Sequence, residues 1–115
     1  MGGTLDMLRS PRDFAALQSH GRGRALPIVA IRVRRNGLDR DRFGISTGKR
    51  VGGAVVRNRV RRRLREILRA WEHPGLPRWD ILVVARPGSE GASFADLRAA
   101  VLKLLSQTIT KEGTT

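Results

Sequence analysis

Alternation of apolar and polar positions predicts strands in three parts of the chain. Residues 27–34 and 42–47 alternate with a period of two, which is typical of strands that bury one face. Residues 79–86 contain an unbroken apolar run and therefore predict a strand that is buried on both faces. In the first strand Val29, Ile31 and Val33 share one face, and in the second Phe43 and Ile45 share one side.

Three other segments repeat apolar residues at helical spacing. The first begins at Ser10-Pro11, which suits a helix N-cap and first turn, and Gly21 ends it. The longest spans 54–71, and the last begins after Ser93. The predicted order is helix, strand, strand, helix, strand, helix, which favours an α/β (α+β) two-layer sandwich with a small central sheet. We expect one domain over residues 1–115, with an ordered core of about 9–108 and a disordered tail.

The chain is strongly basic, with 23 Lys and Arg against 10 Asp and Glu and a formal net charge of +13. Self-repulsion of this charge calls for a polyanionic partner, either nucleic acid or an anionic membrane surface. Nearly all the cations are arginine, which binds phosphate bidentately and stacks on bases, so nucleic acid is favoured. There is no cysteine and no apolar run near the ~20 residues of a membrane span, and the pattern at the N-terminus does not predict a signal peptide. We therefore expect a cytoplasmic protein without a membrane partner.

The charge is concentrated in residues 49–69, which hold nine basic residues and one acidic residue, Glu66. On a helical wheel, the apolar residues of 54–71 occupy about one third of the circle and arginines fill most of the rest. Like charges four residues apart repel, as in the pair Arg61 and Arg65, and Glu66 relieves only part of this, through Arg62 and Arg63. Bound phosphates would turn the repulsion into attraction. A solvated charged face and a membrane-surface helix are the weaker interpretations.

The central motif of this segment, Arg57-Asn58-Arg59, resembles the signature of the bacterial ribonuclease P protein subunit. The resemblance includes Lys-Arg-Val-Gly-Gly-Ala-Val-Val at 49–56, Phe-Gly-Ile-Ser at 43–46 and the strand and loop at 80–87. It covers roughly residues 9–108. It implies a fold like the second domain of ribosomal protein S5, with a left-handed β-α-β crossover around the long helix.

The resemblance also implies the division of labour in the complex. In this family an RNA subunit hydrolyses the phosphodiester with Mg²⁺ that the RNA requires, and the protein binds no cofactor of its own. The protein contacts that RNA and holds the single-stranded 5′ leader of precursor tRNA, and no protein partner is implied. The residues that would bind RNA are Lys49, Arg50, Arg57, Asn58, Arg59, Arg61, Arg62 and Arg65.

Phe14 and Ile31 would line the floor of the leader cleft by the same resemblance. Two positions depart from the family, because Gln18 and Ile31 stand where aromatic residues are common. Stacking of leader bases in the cleft is therefore expected to be weaker.

A catalytic site within the protein itself is not predicted. A protein ribonuclease needs paired histidines or lysines, or clustered carboxylates that bind metal. The only histidines, His20 and His73, fall at a helix end and in a proline-rich loop, and Asp39 and Asp41 alternate with arginines in a turn. The alternatives to a ribonuclease P subunit are a structural protein that binds ribosomal RNA and a non-specific DNA-binding protein.

Overall fold

A computed structural model of the chain describes residues 5–72 and 77–109. Two predictions, the proline-rich loop that holds His73 and the disordered tail at 111–115, lie at least partly outside these residues. The elements, in chain order, are helix α1 (Pro11–His20), strands β1 (Arg22–Ala25), β2 (Val29–Arg35) and β3 (Arg42–Thr47), helix α2 (Ala54–Ala70), strand β4 (Trp79–Ala85) and helix α3 (Phe94–Thr108).

The first strand, β1, is an element that the sequence pattern did not predict. All four of its residues are exposed, so its sequence shows no alternation of buried and polar positions. It pairs antiparallel with β2, with Arg22 opposite Val33. The Arg22 guanidinium also lies 5.9 Å from the centroid of the Trp79 ring, a cation–π contact that helps to hold this edge strand.

The four strands form one mixed sheet in the order β1-β2-β4-β3. Strand β4 runs antiparallel to β2 and parallel to β3, and α2 connects β3 to β4. The outer edge of β3 is partly covered by the N-terminal segment, since Phe43 donates its N–H to the carbonyl oxygen of Asp6 at 2.8 Å.

Helices α2 and α3 cover one face of the sheet, and the main core lies between them and the strands. A buried leucine or valine contributes about 1.5–3 kcal/mol to folding, and Leu64→Ala would therefore cost about 2–5 kcal/mol. Strand β4 is buried on both faces, as its unbroken apolar run predicted. The core residues include Val29, Ile31, Val33, Phe43, Val60, Leu64, Ile67, Leu68, Trp79, Ile81, Val83, Leu97, Val101, Leu104 and Leu105.

Helix α1 packs on the opposite face of the sheet, which we call the α1 face. Leu17 is fully buried there against Leu82. Arg32 holds the end of the helix, because its Nε and Nη2 donate to the carbonyl oxygens of Leu17 and Gly21 at 3.2 and 3.0 Å. The α1 face thus has one covered end and one end that remains open beside β1.

Candidate nucleic-acid interface

The arginine surface of α2 follows from the way the helix packs. Val60, Leu64, Ile67 and Leu68 are buried against the sheet and α3, so the remaining positions of the helix face outward. Gly53 is the N-cap, and a 3-10 turn at Lys49–Val51 leads into the helix with Lys49 and Arg50 exposed.

The predicted RNA-binding residues fall into two groups on this helix. Asn58, Arg59 and Arg62 are exposed, whereas Arg57, Arg61 and Arg65 are half-buried along the flanks of the apolar stripe. A groove of about 450 Å³ is lined by Val55, Asn58, Arg61, Arg62 and Arg65. The structure therefore brings four of the eight predicted residues into one groove.

Arg61 is held in place by two hydrogen bonds. Its Nη2 donates to the Thr47 hydroxyl on β3 at 2.8 Å, and its Nη1 donates to the Asn58 side-chain oxygen at 2.9 Å. Asn58 uses its oxygen in this contact, so its amide nitrogen is left to donate outward. The two side chains are thus ordered in the free protein, which lowers the entropy cost of binding a partner there.

Arg57 is one of the half-buried arginines of α2. Its Nε is buried and has no hydrogen-bond partner among the described residues. A buried donor without an acceptor costs free energy in the folded protein alone. A partner could reach only the two terminal nitrogens of the guanidinium group, because Nε itself is shielded from solvent.

The acidic residue of α2 neutralises a different arginine from the ones expected. Glu66 accepts from Arg69 Nη1 at 2.9 Å, and the expectation that Arg62 and Arg63 would share its charge is wrong. Arg63 instead donates to the carbonyl oxygen of Ala92 at 3.3 Å. Arg62 has no ion pair within residues 5–72 and 77–109, so its full charge is directed outward.

Phe14 and Ile31 lie on opposite faces of the sheet, so the expectation that both line one cleft is wrong for Ile31. The Ile31 side chain is 1% exposed and belongs to the core under α2 and α3. Phe14 is half-buried on the α1 face, where it packs against the buried cluster of Leu8, Leu17 and Leu82, as Val84 also does. Side chains alternate along a strand, so Ala30 and Arg32 are the β2 residues that share this face with Phe14.

The open end of the α1 face contains a shallow cavity of about 390 Å³ that the sequence did not indicate. The alternation of side chains along β2 could have indicated this cavity. Ala30, next to Ile31, faces the opposite side of the sheet from it, and Ala30 is paired with Val84 of β4. The lining residues of the cavity are Gly23, Arg24, Ala25, Ala30, Ile31, Arg32, Val84 and Arg86, of which Ile31 belongs by side chain to the other face.

Several carboxylates of the described residues form ion pairs with arginines. Asp80 and Asp13 bind Arg42, and Asp41 lies 3.6 Å from Arg78. In residues 5–72 and 77–109, no three His, Cys, Asp or Glu side chains are placed to hold a metal ion. Over the same residues, no helix is long and apolar enough to cross a membrane.

The chain is similar to ribonuclease P proteins in both sequence and structure. The family model for ribonuclease P matches residues 4–109. The chain is 37% identical over 100 residues to the ribonuclease P protein component of Herpetosiphon aurantiacus, which covers 87% of this chain and 81% of that protein. It is 35% identical over 102 residues to the corresponding protein of Clostridioides difficile, covering 88% and 90%.

Solved structures agree with the sequence comparison. The RNase P protein from Thermotoga maritima superposes with a TM-score of 0.80 at 29% identity, over 91% of this chain and 99% of that one. The RNase P protein of Staphylococcus aureus has a TM-score of 0.81 over 90% and 95% of the two chains, and at 24% identity it supports the fold.

Proposed function

This chain belongs to the ribonuclease P protein family and is a protein component of ribonuclease P, and we propose that α2 binds the catalytic RNA while the α1 face binds the 5′ leader of precursor tRNA. The observation that carries the proposal is the row of arginines on α2, which has a single acidic residue, Glu66, already paired with Arg69. Bound phosphates would stabilise such a row and release counterions.

The α2 surface supplies both charge and a polar contact for RNA. Arg59 and Arg62 are exposed cations for phosphates, and Arg61 holds Asn58 with its amide nitrogen free. An amide in this position can donate to a base edge or to a 2′-hydroxyl, and the 2′-hydroxyl is the group that distinguishes RNA from DNA. Lys49 and Arg50 add phosphate contacts before the helix begins.

The α1 face has the character of a surface for unpaired RNA. The apolar floor of this face includes Phe14 and Val84, which pack against the same buried cluster, and Ala30, which lines the cavity beside β1 with Arg24 and Arg86. Unpaired nucleotides present bases to aromatic and apolar platforms and phosphates to arginines. With one aromatic residue on this floor, we expect a modest preference among leader sequences.

We assign the hydrolysis to the RNA subunit and to Mg²⁺ bound there, which supplies the nucleophile and stabilises charge. Asp13, Asp41 and Asp80 are engaged with arginines and are therefore poorly placed to bind Mg²⁺. The protein contributes affinity and a fixed register of the leader. Its place of action is the cytoplasm, where precursor tRNA is made.

The leader proposal is tested by the preference of the reconstituted complex for precursor over mature tRNA. Phe14→Ala should reduce that preference about fivefold or more, since one base–aromatic stack contributes about 1–3 kcal/mol. Binding of mature tRNA should not change. Leu38→Ala, which removes another partly exposed apolar side chain outside the α1 face, is the matched control. An unchanged preference in Phe14→Ala would contradict the assignment of this face.

A further inference from the structure

An exposed aromatic ring stands on the side of α2 that faces α3. Phe94 is 40% exposed and is the aromatic residue among the three large apolar side chains that are exposed in the described part of the chain. It is the first residue of α3, directly after Ser93, whose hydroxyl accepts the N–H of Asp96 at 3.0 Å. The ring is therefore attached to a well-capped helix start and not to a loose loop.

Arginines of α2 surround this ring. A cavity of about 400 Å³ lies between Phe94 and the helix. The only acidic group at this cavity, Glu66, is already bound to Arg69 at 2.9 Å, so the cavity keeps a net positive charge. Its lining residues are Arg62, Arg63, Arg65, Glu66, Arg69 and Phe94.

This cavity lies on the opposite flank of α2 from the leader surface. Arg61 reaches β3 through the Thr47 hydroxyl, whereas Arg63 reaches the carbonyl oxygen of Ala92 just before α3. The two contacts mark two different sides of one helix. A nucleotide held beside Phe94 would therefore be on the far side of α2 from Phe14 and the α1 face.

We propose that Phe94 and the neighbouring arginines of α2 form a second nucleotide site, which stacks one unpaired base of the ribonuclease P RNA and binds its phosphates. The inference rests on the proposed function of α2 as the surface for that RNA. A π-face beside several cations is the combination that single-stranded nucleic acid recognises, since every base can stack and every linkage carries a charge. An acidic protein would be attracted by the charges but would gain little from an isolated aromatic ring.

The first test measures affinity for the ribonuclease P RNA alone, without tRNA. Phe94→Leu keeps an apolar side chain but removes the stacking plane, and it should weaken binding about fivefold or more. Phe94→Tyr keeps the plane and should bind as the wild type does. Leu38→Ala is the control for loss of an exposed apolar group, and thermal unfolding checks that each variant folds.

A second measurement does not depend on truncating the ring. The chain has no cysteine, so Ala95→Cys on the exposed first turn of α3 can carry a single photoactivated cross-linker. In the assembled complex with precursor tRNA, the cross-link should form to the ribonuclease P RNA and not to the leader.

Several outcomes would overturn the second site. These are wild-type affinity in Phe94→Leu, equal weakening in Phe94→Leu and Phe94→Tyr, and a cross-link confined to the leader or absent. The variant Arg57→Ala/Arg59→Ala separates this failure from that of the proposed function. If it loses RNA affinity while Phe94→Leu does not, α2 binds the RNA and the second site is wrong. If both retain full affinity, the proposed function itself fails.

Discussion

Arg42 and Asp80 form a two-point ion pair across the adjacent strands β3 and β4. The guanidinium Nε and Nη2 lie 2.8 and 2.7 Å from the two carboxylate oxygens. The remaining nitrogen, Nη1, lies 3.3 Å from a carboxylate oxygen of Asp13 on α1. The pair therefore anchors the helix that carries Phe14 to the sheet.

Removing the carboxylate of this pair should destabilise the fold. The Asp80 side chain is 8% exposed, and Asp80→Ala leaves Arg42 without its main partner in a partly buried place. We expect the free energy of unfolding, measured by urea denaturation, to fall by about 3 kcal/mol. Asp39→Ala removes a carboxylate that is 92% exposed and should change the free energy of unfolding by less than about 0.5 kcal/mol. Equal effects of the two substitutions would contradict the role of the pair.

The pair should hold across the ordinary range of pH. The hydrogen bond to Asp80 raises the pKa of Arg42, with burial opposing it and the charges of Asp80 and Asp13 adding to it. A group whose pKa is higher in the folded than in the unfolded protein stabilises the fold fully at pH values below its unfolded-state pKa. This stabilisation is lost as the pH rises through the folded-state pKa. For Arg42 that loss falls in strongly alkaline solution. A fall in wild-type stability between neutral and mildly alkaline pH that Asp80→Ala abolishes would contradict this.

Contact between α1 and β3 depends on the absence of a side chain at Gly44. A Cβ atom there would lie 2.7 Å from Phe14 Cε1 and 3.2 Å from Leu82 Cδ1. Gly44→Ala should therefore displace the Phe14 ring and lower the free energy of unfolding by about 1–3 kcal/mol. It should also lower the preference of the reconstituted complex for precursor over mature tRNA. Gly48→Ala, where no atom lies within 4 Å of the added Cβ, is the matched control. Wild-type stability and leader preference in Gly44→Ala would refute the close packing of this ring.

The elements with strong periodicity were predictable, and the edge of the sheet was not. The faces of β2 and the double burial of β4 follow from alternation and from an unbroken apolar run. Strand β1 is formed by backbone pairing with β2 and by Arg22 over Trp79, neither of which leaves a hydrophobic pattern. Pairing of this kind depends on tertiary context, to which local sequence is blind.

The candidate site was predictable as a surface but not in its internal contacts. The helical period places the arginines of α2 away from the core. The helical period does not determine that Glu66 pairs with Arg69, because side chains three and four residues away on either side are all within reach of Glu66. The position of Ile31 was missed for another reason. The resemblance suggested a cleft residue, and alternation grouped Ile31 with Val29 and Val33 without telling which face of the strand is the core face.

Arg62 is expected to make a phosphate contact, because it is exposed and has no ion pair in the described residues. Arg62→Ala should lower the slope of log affinity for the ribonuclease P RNA against log salt concentration by about 0.7–0.9. Arg98→Ala removes an exposed arginine from α3 and should leave the slope unchanged. A slope that falls equally in both variants would indicate diffuse attraction by net charge instead of a contact at Arg62.

The most direct measurement is cleavage of precursor tRNA by the cognate ribonuclease P RNA at low, near-physiological Mg²⁺, with and without this protein. The protein should strongly stimulate cleavage. A folded Arg57→Ala/Arg59→Ala variant should lose that stimulation and bind the RNA roughly a hundredfold more weakly, since two charge-assisted contacts contribute about 3 kcal/mol or more. A double variant of equal charge, Arg12→Ala/Arg98→Ala, should keep it. Tight RNA binding by the wild type without stimulation of cleavage would contradict the account.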